Sequence, residues 1–499
     1  MNSKNFRLCV LSGLVIAACL SARAEVRLPA LFSDNMVLQR DARVPVWGWA
    51  DDGEEVIVRF RDQIVTTTAK KGKWMVALKN LKVGEPGTLL VQGKNHIEIK
   101  NVVVGEVWIC SGQSNMEWAL KNSFESEGDI SNSANPQLRL MMIPKVKSDK
   151  PLDDVKAAWR ESSPESSPYF SAVAWYFGRA LQQSLKVPVG LIDTCWGGSP
   201  AEVWMSDKVL TSNPEYKRDI VDAFADAMHK SESATNKPAR PPWKPSELYN
   251  GMIAPLIPFA IKGAIWYQGE SNAGRAKQYR TLFPDMIKNW RDDWDEGKFP
   301  FLLVQLAPYD KNKKRSIEEI TANPVESDWA ELREAQLFST KVLPKVGMAV
   351  ITDVGQKDDI HPKKKEPVGN RLALAARGIA YKENIEYSGP IYKSMKVKDG
   401  KAIISFTHAG CGLEAREGDL KGFAICGADK KFVWAKAEIE GEKVVVSSPE
   451  VSKPIAVRYG WDDYPVVNLW NKADLPASPF RTDDFPMITA PKATNTAKK

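Results

Sequence analysis

The chain has 499 residues, 69 Lys and Arg against 62 Asp and Glu for a formal net charge of +7, and only four histidines. A balance this mild, with both signs mixed throughout, excludes the concentrated basic footprint of a nucleic-acid-binding protein and describes an ordinary soluble surface. The length exceeds what one hydrophobic core serves, so several structural units are expected.

Met1–Ala24 carries Lys4 and Arg7, then the apolar run Leu8–Leu20, then Ala22-Arg23-Ala24 before Glu25. This is the layout of a secretory signal peptide with a small-x-small cleavage site, which predicts a secreted or periplasmic protein. The apolar run is too short for a membrane span, and no later segment reads as one. Loss of residues 1–24 removes Lys4, Arg7 and Arg23 and no acid, lowering the formal charge from +7 to +4. A rival cut lies at Ile16-Ala17-Ala18-Cys19, which resembles a bacterial lipoprotein box and would leave a lipid on Cys19. Cleavage after Ala24 is preferred because Glu25-Val26-Arg27-Leu28-Pro29 begins the folded region directly.

Residues 25–102 hold short alternating stretches, such as Val56-Ile57-Val58-Arg59-Phe60 and Trp74-Met75-Val76-Ala77-Leu78, separated by turns such as Asp51-Asp52-Gly53. They read as a small β-sandwich. Over 103–385 strands alternate with helices. Core strands are expected at 102–110, 187–194, 261–267, 300–306 and 347–353, and helices at Tyr169–Lys186 and Lys365–Tyr381. That alternation predicts an α/β unit, a mostly parallel sheet with helices on both faces and ligands at the carboxyl ends of its strands. Two irregular stretches, His229–Leu248 and Tyr309–Ser327, are expected as surface loops or as walls of a binding groove. Residues 386–490 return to β patterning, and 491–499 read as a disordered tail. Cys110 and Cys195 fall where buried small apolar residues belong. Cys411 and Cys426 flank a hairpin-like stretch, as a disulfide of an oxidising compartment or as free thiols.

The chemistry concentrates where Val102–Cys110 runs into Ser111-Gly112-Gln113-Ser114-Asn115-Met116. A serine at a strand–turn–helix junction has an exposed hydroxyl, and its N–H at the helix start favours developing negative charge. Ser114 is therefore a candidate nucleophile, or a plain helix cap. A serine needs a base with a pKa near the working pH, and imidazole is the usual one. Of His96, His229, His361 and His408, only His361 follows an expected core strand, in the acidic turn Asp358-Asp359-Ile360-His361-Pro362. Asp358 is the candidate carboxylate orienting the ring, with Asp359 the alternative. Position 116 is methionine, so there is no Gly-x-Ser-x-Gly elbow. The chain also lacks His-Glu-x-x-His, zinc-spaced Cys/His clusters and a phosphate-binding loop, so neither metal nor cofactor is expected.

Four ordered blocks carry a resemblance. They are Trp108–Trp118 around Ser114, Gly197-Gly198-Ser199-Pro200-Ala201-Glu202-Val203-Trp204, Ile265-Trp266-Tyr267-Gln268-Gly269-Glu270-Ser271-Asn272, and Asp358–Pro362. With the opening Leu28–Gln39 and closing Leu475–Arg481, the chain resembles the SGNH, or GDSL-like, hydrolases, and among them the sialate O-acetylesterase type of carbohydrate esterase. The resemblance implies a flavodoxin-like SGNH sheet flanked by N- and C-terminal β-rich domains. It implies Ser114 as nucleophile, His361 as base and Asp358 as its partner. The oxyanion hole would comprise the N–H groups of Ser114 and Gly197, with Gly198 the other candidate, and the Gln268 amide in place of the asparagine many relatives use. The expected activity is hydrolysis of O-acetyl esters on sugars, sialic acids first and a plant polysaccharide such as xylan as the alternative. A third reading is a non-catalytic carbohydrate-binding protein. In each, the partner is an acetylated sugar or glycan, and Trp243 is available to stack on its ring.

Overall fold

Period-two burial builds the N-terminal region of the structure, a computed structural model that describes residues 25–232, 242–312 and 314–491. The expected leader with its Cys19 alternative, the tail beyond residue 491 and part of the 229–248 stretch lie outside the described residues. Strands β1 (Val37–Gln39), β2 (Arg43–Trp49), β3 (Glu55–Phe60), β4 (Gln63–Thr68), β5 (Lys73–Lys79) and β6 (Gly87–Gln92) precede a long strand, β7 (His96–Gly112). Val56, Val58 and Phe60 of β3 and Trp74, Val76 and Leu78 of β5 are buried, with polar residues alternating outward. β2 pairs with β5, and β3 with β4 and β6, all antiparallel. The first half of β7 pairs with β6; its second half enters a different sheet without a break. The expected division at residues 102–103 therefore falls inside one continuous strand.

That second sheet adds β8 (Asn135–Met142), β9 (Arg160–Ser162), β10 (Val189–Cys195), β11 (Gly263–Tyr267), β12 (Phe301–Val304) and β13 (Val346–Ala349). Its order is β13-β12-β11-β7-β10-β8-β9, parallel except for the antiparallel edge β9. From β7 the chain passes to the outer strands β8 and β9 and returns to place β10 beside β7 on one side, then builds outward through β11, β12 and β13 on the other. The carboxyl end of β7 is thus the topological switch point, where such sheets open a crevice for ligands.

Five helices position the site: α1 (Ser114–Glu117), α2 (Ala172–Leu185), α3 (Ala276–Trp294), α4 (Asp328–Val342) and α5 (Glu366–Ile379). Alternate side chains of β7 separate the two faces. Trp108 and Cys110 pack with Val173, Phe177 and Leu181 of α2 and Leu372 of α5. Val107 and Ile109 join the core of Leu282 and Trp290 of α3 and Leu332 of α4. Each such fully buried side chain contributes about 1.5–3 kcal/mol relative to exposure. The expected α/β class is correct. The charged stretch Tyr309–Ser327 contains a short helix, Ile317–Ala322, with a Ser316–Glu319 capping box, and His229 lies on the helix Ala223–Glu232 rather than in a loop.

The C-terminal region is antiparallel β around its own core, which includes Ile404, Phe423, Ile425, Val444 and Tyr459. Arg333 of α4 ties it to the catalytic sheet. Fully buried, its guanidinium donates to the carbonyls of Leu306 and Ala307 on one side and of Asp462 and Asp463 on the other, at 2.7–3.2 Å. Cys411 and Cys426 are free thiols, which corrects the disulfide reading: Cys426 is buried in strand Phe423–Cys426 while Cys411 is exposed. No described helix is long and apolar enough to cross a membrane.

Candidate active site

The turn that carries Ser114, the candidate nucleophile, is set by backbone sterics. Gly112 closes β7 at φ +143°, and a Cβ there would stand 2.2 Å from the Tyr267 carbonyl oxygen of β11, so no other residue fits. The chain then enters α1, whose first residue is Ser114. The amides of Met116 and Glu117 return to the Gln113 carbonyl, while the Ser114 N–H has no backbone partner among the described residues. A free amide at a helix start beside a half-exposed hydroxyl suits an oxyanion.

His361 arrives on the loop between β13 and α5. Its Nε2 lies 2.9 Å from Ser114 Oγ. Trp118 stacks against the imidazole, ring centroids 5.5 Å apart at 20°. Burial, then the positive charge of Lys365, lowers the His361 pKa below its ordinary 6.5, with Asp359 acting in the opposite direction. A ring held neutral at neutral pH can accept the serine proton.

The carboxylate partner differs from the first expectation. Asp358 forms an ion pair with Lys357 at 2.5 Å, and its side chain is 61 % exposed. The carboxylate beside the ring is Asp359, whose Oδ1 lies 3.7 Å from His361 Nδ1 and accepts the His361 backbone N–H at 2.9 Å. Adjacent turn residues project in different directions, and here the second of the pair faces the imidazole.

Two oxyanion-hole expectations also change. Gly197 does abut the nucleophile: a Cβ on it would stand 3.2 Å from the Ser114 Cβ. Its N–H, however, donates to Glu117 Oε2 at 2.6 Å, and Glu117 is anchored in turn by Lys145. Gly198, at φ +75° and exposed, is the member of the pair whose N–H is uncommitted among the described residues. Gln268 is fully buried beneath the site. Its Nε2 donates to Asn272 Oδ1 at 2.6 Å and Ser199 O at 3.3 Å, and its Oε1 accepts from Tyr279 OH at 2.9 Å. Both amide hydrogens are spent in that ladder, so Gln268 braces the loops instead of facing a substrate.

Two residues at the site, Asn115 and Lys365, were not singled out from sequence. Asn115, buried, donates to Glu270 Oε1 at 2.6 Å and Ile360 O at 3.0 Å, and accepts from Lys365 Nζ at 2.5 Å. Asn115 and Glu270 stand inside the quoted motifs; Lys365 ends an ordinary-looking lysine run. Cys195 donates to the buried Asp193, whose carboxyl is pushed up to about 7 by burial, and burial raises the Cys110 and Cys195 thiols, which leaves both inert.

A parallel sheet with a Ser–His pair at its switch point, framed by glycine and asparagine-bearing loops, defines a serine hydrolase of the SGNH type. The profile of a family described as carbohydrate esterase, sialic acid-specific acetylesterase, matches residues 104–376, and the chain belongs to that family. It is a carboxylic ester hydrolase. It is 30 % identical to the sialate O-acetylesterase of Homo sapiens, with 94 % of each chain aligned. To that of Mus musculus it is 28 % identical, over 94 % of this chain and 96 % of the other. A carbohydrate acetylesterase from Xanthomonas citri has a similar structure, with a TM-score of 0.82 and 38 % identity over 92 % of this chain and all of that one.

Proposed function

We propose that the protein is a secreted or periplasmic sialate O-acetylesterase in which Ser114 attacks the acetyl carbonyl of an O-acetylated sialic acid. The observation that carries this reading is the 2.9 Å approach of His361 Nε2 to Ser114 Oγ at the carboxyl end of β7. The Oγ–carbon bond forms as His361 Nε2 takes the hydroxyl proton, and Asp359 stabilises the imidazolium. The amides of Ser114 and Gly198 hold the oxyanion; one such donor is worth about 3 kcal/mol. His361 returns the proton to the sugar oxygen as the acyl C–O bond breaks. A water, deprotonated by the same ring, then attacks the acetyl-serine, and acetate leaves with the proton restored to Ser114.

An aromatic and cationic shelf beside Gly197 supports an acidic sugar. Trp196 and Trp243, both partly exposed, meet edge to face with centroids 5.5 Å apart. Lys147 Nζ lies 4.2 Å from the Trp243 ring centroid, and Lys145 Nζ 5.7 Å from that of Trp196. Lys147 pairs with Glu247 and Lys145 with Glu117, and each ammonium, with three N–H donors, retains donors for a substrate carboxylate. The test measures acetate release from O-acetylated sialic acid and from acetylated xylan oligosaccharides, for wild type and Ser114→Ala. The expected result is preference for the sialic acid and loss of both activities in the folded variant. Preference for xylan, or activity surviving in Ser114→Ala, would overturn the reading.

A further inference from the structure

Lys365 is a buried ammonium in a site whose acyl-transfer steps do not use it. It is 1 % exposed and opens α5 four residues after His361, whereas its neighbours Lys363 and Lys364 are exposed. Its Nζ donates to Asn115 Oδ1 at 2.5 Å, and Asn115 Nδ2 donates onward to Glu270 Oε1 and Ile360 O. One amide beside the nucleophile is thus gripped from three directions: the start of α5, the histidine loop and the loop after β11. Nζ also lies 5.6 Å from the ring centroid of Trp118 and 5.4 Å from that of Tyr267, and Trp118 is the ring stacked on His361.

A cation taken out of water costs several kcal/mol unless it is well paired, and removing one partner of such a pair is more damaging still. A hydrocarbon side chain would fill the same space without that cost, so the charge itself requires an explanation. We propose that Lys365 is a positioning residue for the Ser114–His361 pair: through Asn115 it locks the Ser114 turn to the histidine loop, with its Nζ against the Trp118 ring that stacks on the imidazole. The charged groups facing His361 are Lys365 and, on its own loop, Asp359; those facing Lys365 are Glu270 and Asp359. Burial holds the Lys365 pKa down to about 7 and raises that of Glu270, while the charge of each acts on the other against its burial. Lys365 and Asp359 then pull the imidazole in opposite directions, and the ring starts neutral yet accepts a proton in the transition state.

The inference rests on the Ser114–His361 reading, and its test does not depend on turnover. The imidazole resonances of the full chain are titrated by NMR, with His361 assigned from its absence in His361→Ala. In Lys365→Met the His361 midpoint is expected to rise by about 1 pH unit, while those of His96 and His408 stay fixed. Aryl acetate hydrolysis should lose kcat more than KM as Asn115 is released. Because Glu270 left buried without its cation can unfold the chain, Lys365→Met/Glu270→Gln is measured beside it, with the same shift expected. A folded variant whose His361 titrates at the wild-type midpoint would reduce Lys365 to packing and overturn the proposal. A shifted midpoint in a protein that releases no acetate would uphold the coupling while refuting the esterase reading.

Discussion

Replacing Asp359 by Asn removes a charge from beside the imidazole and preserves the side-chain shape. The separation of 3.7 Å between Asp359 Oδ1 and His361 Nδ1 sets the scale. Two unit charges at that distance interact by about 4 kcal/mol at an effective dielectric of about 20 and by about 1 kcal/mol in bulk water. The Asp359 side chain is 48 % exposed and the imidazole 32 %, so solvent screens the pair and the value falls in the lower part of that range. The ring becomes charged only as the serine proton moves, so the loss appears in kcat: about 1–3 kcal/mol, or roughly five- to 160-fold. Asp358→Asn removes only an exposed pair with Lys357 and is expected to stay within about twofold of wild type. Steady-state hydrolysis of an aryl acetate, with circular dichroism to verify folding, measures both. A silent Asp359→Asn alongside a damaged Asp358→Asn would refute the assignment and the reasoning behind it.

Since burial and Lys365 lower the His361 pKa, the base stays neutral to lower pH, and the acid limb of kcat/KM should have its midpoint below 6.5; a midpoint above 7 would contradict that environment. Gly112→Ala drives a Cβ to 2.2 Å from the Tyr267 carbonyl and should cost about 3 kcal/mol or more, read as a lowered Tm and poor soluble yield. An unchanged Tm would mean that β7 and β11 separate easily. Burial pushes the Glu296 carboxyl up to about 8, above its unfolded value of 4.5, so it contributes stability that is lost as pH rises through that interval. The Tm advantage of Glu296→Gln over wild type should therefore grow from about pH 5 to about pH 8, and a constant difference would dismiss the buried carboxyl as its cause.

The sheet, and the approach of Ser114 to His361 at its edge, were legible in sequence because each rests on local pattern. An unbroken apolar run marks a strand buried on both faces, and a serine or histidine just past its end is delivered to the sheet's carboxyl edge. Long-range partners were less legible. β8 escaped notice because Arg139 interrupts its apolar run; folded, that arginine is buried and satisfied by Pro136 O, Asn35 O and Asn101 Oδ1. α3 contains Pro284, a helix-breaking signal that the flanking aromatic packing overrides. Asp358 and Asp359 are chemically alike, and only the turn geometry decides which faces the ring. Gln268 stood in the right motif, but its direction depends on Asn272 and Tyr279, partners no local pattern reveals. Lys363, Lys364 and Lys365 are chemically alike, and only the third, just before α5, is buried.

The seventeen residues of β7 serve the N-terminal sheet with their first half and the catalytic sheet with their second, ending at the glycine before the nucleophile turn. Such a strand acts as a tie rod. A pull applied to the edge of the N-terminal sheet travels along covalent backbone and arrives, undivided by any hinge, within two residues of Ser114. The two sheets should therefore exchange amide hydrogens and yield to denaturant together, and a protease cut anywhere along His96–Gly112 would slacken Ser114 as surely as a cut beside it.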